Sequence, residues 1–123
     1  MRMKPTKTSE PAGTVGSFEE QVMLAVLRTG DDAYGMNVRR ELETVTGREV
    51  TIGSVYITLD RLEAKGLVTS ARVAAARETA SRRVFSLTPA GARALADTRT
   101  LRERLWEGVE LKALLRAARQ SPA

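Results

Sequence analysis

Apolar residues recur at helical spacing from Phe18 through Val22, Leu24, Ala25, Val26 and Leu27. Ser17 followed by Glu20 has the spacing of a capping box, so a first helix is expected from Ser17 to a stop at Gly30. A second helix, roughly Tyr34 to Thr46, is capped by Asp31 or Asp32, carries Met36, Val38, Leu42 and Val45, and ends at Gly47. Arg48-Glu49-Val50 reads as a short stub of strand. Thr51 then caps a third helix, Ile52 to Lys65, closed by Gly66.

The period changes after Gly66. Leu67 to Val73 and Arg83 to Leu87 read as two strands joined by a polar loop from Ala74 to Ser81. Thr88-Pro89 is a helix start, threonine as cap and proline in the first helical position, and that helix extends towards Ala118. The expected fold is mainly α with a small β-hairpin: a winged helix-turn-helix domain plus a long C-terminal dimerisation helix. Residues 1–16 form a flexible arm, 17–88 the winged domain, 89–118 the dimerisation helix and 119–123 a disordered tail.

In projection at about 100° per residue, Ile52, Val55, Leu59, Leu62 and Gly66 of the third helix share the core side. The opposite side shows Gly53, Ser54, Ile57, Asp60, Arg61 and Ala64, with Tyr56 and Thr58 on the flanks. A small, hydroxylated face of this kind enters a major groove without clashing; Arg61 can approach guanine and Ile57 a thymine methyl. The plain alternative is an amphipathic helix whose outside happens to be small. On the hairpin, Arg72, Arg77, Arg82 and Arg83 stand against Glu78, as they would to meet phosphate or a minor groove. In the last helix Gly91, Ala94, Leu95, Thr98, Leu101, Leu105 and Val109 form one stripe, more than a small winged domain can cover. Leu95, Thr98, Leu101, Leu105 and Val109 are accordingly expected to pack against a second copy, with charges flanking them as interhelical pairs would. Leu111, Leu114 and Leu115 fall on a different face, with Gly108 between the two sets.

Composition agrees with a polyanionic partner. The 123 residues carry a net charge of +5 and a pI near 10.2. There is no cysteine and no histidine, which removes thiol nucleophiles, disulfides, Cys/His zinc sites and imidazole catalysis. The chain is therefore expected not to be an enzyme: no catalytic residue, no metal and no cofactor is assigned. No stretch approaches the roughly 18 apolar residues of a membrane span, and a cytoplasmic location with no membrane partner is expected.

Gly53-Ser54-Val55-Tyr56-Ile57-Thr58-Leu59-Asp60-Arg61-Leu62-Glu63-Ala64-Lys65-Gly66-Leu67-Val68, together with Tyr34-Gly35 and Arg82-Arg83-Val84-Phe85-Ser86-Leu87-Thr88-Pro89-Ala90-Gly91, resembles the signature of the PadR family over about residues 18–110. The resemblance implies a homodimeric transcriptional regulator, most simply a repressor, on a pseudo-palindromic duplex. It implies that Tyr34, Thr51, Ser54, Tyr56, Thr58 and Arg61 lie near DNA, Tyr56 offering its hydroxyl to phosphate. The sequence departs from the family at Ala74-Ala75-Ala76, in place of a glycine-rich turn, and at Phe85, in place of tyrosine. PadR-like proteins carry a tryptophan in the last helix, and some bind flat aromatic ligands between protomers. Trp106 lies about one turn later than that position and is the candidate contact for a small aromatic effector, packing in the dimer seam being the alternative. A winged-helix protein-interaction module without DNA binding is the rival reading of the whole chain.

Overall fold

The computed structural model describes residues 13–74 and 81–120. Its order is α1 (Ser17–Thr29), a 3-10 turn (Gly30–Asp32), α2 (Gly35–Thr46), α3 (Ile52–Ala64), β1 (Val68–Ala74), β2 (Ser81–Leu87), α4 (Pro89–Trp106) and α5 (Leu111–Gln120). Three helices, a two-stranded wing and C-terminal helix make the expected winged helix.

The local starts and stops differ from expectation in three places. Gly16 rather than Ser17 caps α1, because Glu19, third in the helix, reaches back to accept the Gly16 amide at 3.1 Å. Glu20 points to α4 instead, where Arg102 donates to it. Neither Asp31 nor Asp32 caps α2; the cap residue is Tyr34, without a side-chain bond. The Asp32 carbonyl accepts from Asn37 Nδ2 at 2.9 Å, and Ala33-Tyr34 runs extended beside the wing, with Phe85 N donating to Ala33 O and Tyr34 bridging Val84. That bridge is where the extra extended pairing falls. Arg48-Glu49-Val50 is not a strand, since the Val50 amide donates to the Glu43 carboxylate at 2.9 Å.

The threonine caps stand as read. Thr51 Oγ1 accepts from Ser54 N at 3.1 Å, and Thr88 Oγ1 accepts from Gly91 N at 3.0 Å while donating to Gly66 O. The wing is antiparallel, pairing Val68 with Leu87 and Arg72 with Arg83. Val22, Met23 and Val26 of α1, Val38 of α2, Val55, Leu59 and Leu62 of α3, and Phe85 of β2 close one core.

Only the first half of α4 touches that core. Leu95 and Thr98 are buried within the protomer, so they are removed from the expected dimer seam. Thr98 Oγ1 accepts from Val15 N at 3.1 Å and donates to Ala94 O, so residues 13–16 lie against α4 rather than belonging to a loose arm. Leu101, Leu105 and Val109 are exposed, Leu105 at 70%. The helix ends at Trp106; Gly108 takes φ +79°, a left-handed value that suits glycine, and α5 is a separate helix reaching into the expected tail at Gln120.

Candidate nucleic-acid interface

The outer side of α3 presents Gly53, Tyr56, Ile57, Asp60 and Arg61, with Ile57 61% exposed. Ser54 is half-buried, its Oγ donating to Thr51 O at 2.8 Å, and Thr51 is exposed at the helix start with its hydroxyl accepting the Ser54 amide. Thr58 is only 4% exposed and is withdrawn as a DNA contact. The buried arc of α3 is centred on Val55 and Leu62, which places Thr58 inside it and leaves Ile52 at its edge.

The two tyrosines meet at the start of α2. A β-carbon at Gly35 would fall inside the Tyr56 ring, against Cζ and the hydroxyl, so glycine is required for the ring to cross the helix N-terminus. The Arg82 guanidinium sits 4.2 Å from the Tyr34 ring centroid. Tyr34, Met36, Tyr56, Arg72, Arg82 and Arg83 line a cleft of about 480 Å³ between α3 and the wing. Met36, read from the sequence as part of an apolar helix face, is a wall of this cleft; nothing in local spacing signals that role.

Neighbouring arginines on β2 divide their work. Arg83 shares a side of the strand with Phe85, whose ring lies 4.8 Å below its guanidinium. It donates to Asp60 at 2.9 Å and to Glu63 at 2.6 Å, so its charge is largely matched by α3. The Ser70 hydroxyl and then Arg83 hold the Glu63 carboxyl below its ordinary range. Arg83 therefore ties the wing to α3 while also lining the cleft. Arg82 faces the other way, towards Tyr34, while Arg72 is exposed across the wing from Arg83, its pairing partner. Arg77 lies outside the described residues.

A helix with a small exposed outer face, backed by a three-helix core and flanked by a cationic wing, defines a winged helix-turn-helix domain of the DNA-binding kind. Residues 23–97 match the transcriptional regulator PadR-like family, and the chain belongs to that family. Among solved structures, hsRosR in its S4 complex is 27% identical, covering 88% of this chain and 87% of that chain with a TM-score of 0.59. A PadR-like transcription factor from Bacteroides fragilis is 23% identical over 86% of this chain and 96% of that one, with a TM-score of 0.66. A PadR-like regulator from Bacillus cereus is 18% identical over 85% and 93%, with a TM-score of 0.59. No curated protein matches the chain. The protein is a DNA-binding transcriptional regulator. No described helix is long and apolar enough to cross a membrane.

Proposed function

We propose that the protein is a homodimeric repressor that sets two copies of α3 into successive major grooves of a pseudo-palindromic operator, about 34 Å apart, and blocks transcription by occupying it. The observation that carries this is the continuity of the α3 outer face with the cationic cleft: Ile57 and Arg61 stand exposed on the helix, and Tyr56, Arg72 and Arg82 stand beside them. Ile57 and Arg61 meet base edges, while Tyr56, Arg72 and Arg82 take the phosphate backbone, contacts that position without reading sequence. Leu101, Leu105, Trp106 and Val109, exposed beyond the core, supply the dimer seam. An aromatic effector bound against Trp106 would change the angle between protomers, and with it the spacing of the two α3 helices.

Selection of bound sequences from a random duplex pool, followed by anisotropy titration at fixed salt, tests the reading. Arg61→Ala is expected to weaken the selected operator by about 1–3 kcal/mol, and Arg82→Ala to weaken selected and scrambled duplexes alike. Enrichment of no sequence, or Arg61→Ala binding as the unaltered protein does, defeats it.

A further inference from the structure

Besides the exposed stripe of α4, two apolar faces of the described surface are covered by nothing in the protomer. The first belongs to α5. Leu111, Leu114 and Leu115 share one side, with Ala118 one turn further on, and every residue of the helix is exposed. One flank of this stripe carries Lys112, Arg116 and Arg119; the other carries Ala113 and Ala117. The helix has 10 residues, and isolated helices shorter than about 12–15 residues are marginal in water. Something must cover it.

The second face is a groove of about 270 Å³ between α1 and α2. Ala25 and Leu42 form its floor, Leu24 and Val45 its walls, and the walls are 42% and 56% exposed. Its rims differ in charge. Glu41, on the α2 rim, is the only carboxylate among the described residues that line the groove. Arg28 reaches over from α1 and donates to Glu41 Oε2 at 2.6 Å, while Oε1 has no hydrogen-bond partner among the described residues. The α1 rim offers Gln21 and the stem of Arg28, and no acid.

We propose that α5 of one protomer docks in the α1–α2 groove of the second copy, leucines inward and cationic flank over the open Oε1 of Glu41. The proposal rests on the dimer reading above. The match is sided: α5 is cationic along one edge only, and the groove holds its carboxylate on one rim only. The alanine edge of α5 is small enough to close against α1. The path of α4 selects the partner's groove. Beyond Thr98 no residue of the helix is buried, Arg102 alone being tied back to Glu20 of α1, and the rise from Thr98 to Trp106 carries the chain about 12 Å past the last buried residue. Gly108, at φ +79°, then breaks the helix, and α5 follows with every residue exposed. Two α4 helices lying side by side deliver each α5 to the neighbouring protomer. Because α2 packs on α3, this contact also ties the partner's C-terminus to the helix pair that carries recognition. The spacing of the two α3 helices is then held at two places, the α4 seam and the α5 grooves.

The chain has no cysteine, so Val45→Cys and Leu114→Cys each introduce a single thiol. The two full-length variants are mixed, allowed to exchange protomers and treated with a short bismaleimide. The expected result is a product at twice the 13.4 kDa chain mass, absent from either variant alone and lost when Asn37→Cys, towards the other end of α2, replaces Val45→Cys. A chain carrying both Val45→Cys and Leu114→Cys that links internally, running at single-chain mass, overturns the proposal in favour of the protomer's own groove. Sedimentation of the same samples separates the two readings. A dimer without the crosslink defeats α5 docking and leaves the dimer standing; a monomer defeats both.

Discussion

The Arg82 guanidinium rests 4.2 Å from the centroid of the Tyr34 ring. With Arg82 on the phosphate backbone as proposed above, the Tyr34 ring holds that cation in place. Such contacts contribute roughly 0.5–1 kcal/mol when exposed. Tyr34→Phe keeps the ring and is expected to bind duplex as the unaltered protein does, whereas Tyr34→Leu loses about that amount. In an Arg82→Ala background Tyr34→Leu is expected to be silent. Anisotropy on the four proteins checks the cycle, and additive losses would show that Tyr34 contacts DNA itself.

Gly35 and Tyr56 cannot both keep their places if a methyl is added to the glycine. Gly35→Ala is expected to push the Tyr56 ring aside, costing less than the roughly 1–3 kcal/mol of core overpacking because the clash is with the outer end of a partly exposed side chain, and to weaken all duplexes by moving the tyrosine hydroxyl. Thermal unfolding checks the first part. Gly35→Ala combined with Tyr56→Ala should be less destabilised than the sum of the two single changes.

Arg83→Met is expected to cost about 1 kcal/mol of stability, as for a surface ion pair. It should leave the ratio of operator to scrambled binding unchanged, because Asp60 and Glu63 already engage the guanidinium. A changed ratio at retained stability would place Arg83 on DNA after all.

Acid sensitivity should trace to Glu19 and Glu63. Burial works against ionisation of Glu19 and is the largest influence on it. The Lys65 ammonium at 2.9 Å, the Gly16 amide and the Arg61 charge together still hold its carboxyl below the ordinary value of 4.5. Glu63 is lowered by Ser70 and Arg83. Both carboxyls are depressed in the folded state, so their stabilisation is present above pH 4.5 and is lost as pH falls through the depressed values. Denaturant titrations from pH 6 downward, about the range where carboxylates protonate, should show Glu19→Gln with a flatter loss below pH 4.5 than the unaltered chain.

Trp106 closes α4 with 48% of its surface exposed. If it packs in the dimer seam, Trp106→Ala raises the dimer dissociation constant by about tenfold, the effect of an interface residue that contributes more than 1 kcal/mol. Sedimentation equilibrium reads this directly. A dimer unchanged by Trp106→Ala, together with quenching of Trp106 emission by a planar aromatic compound, would assign the side chain to an effector instead.

Much of the protein is legible within a turn or two of chain. The three N-terminal helices, the hairpin and α4 in that order, the Thr51 and Thr88 caps, the proline start of α4 and the outward position of Ile57 and Arg61 follow from hydrophobic period and cap chemistry, which involve residues three or four apart. That is why the resemblance to the PadR family is carried by α3, the second strand and the start of α4. The tertiary structure decided what depends on partners far along the chain. Arg82 and Arg83 are indistinguishable as neighbours; the strand's alternation sends one to Tyr34 and the other to Asp60 and Glu63. Leu95 and Thr98 look like the rest of the α4 stripe until Val15, 83 positions away from Thr98, covers that part of it. Thr58 lies inside because the buried arc of α3 turns away from Ile52 towards Val55 and Leu62. Periodicity says which residues of a helix share a side; only the packing of distant segments says how far that side is covered, and by what.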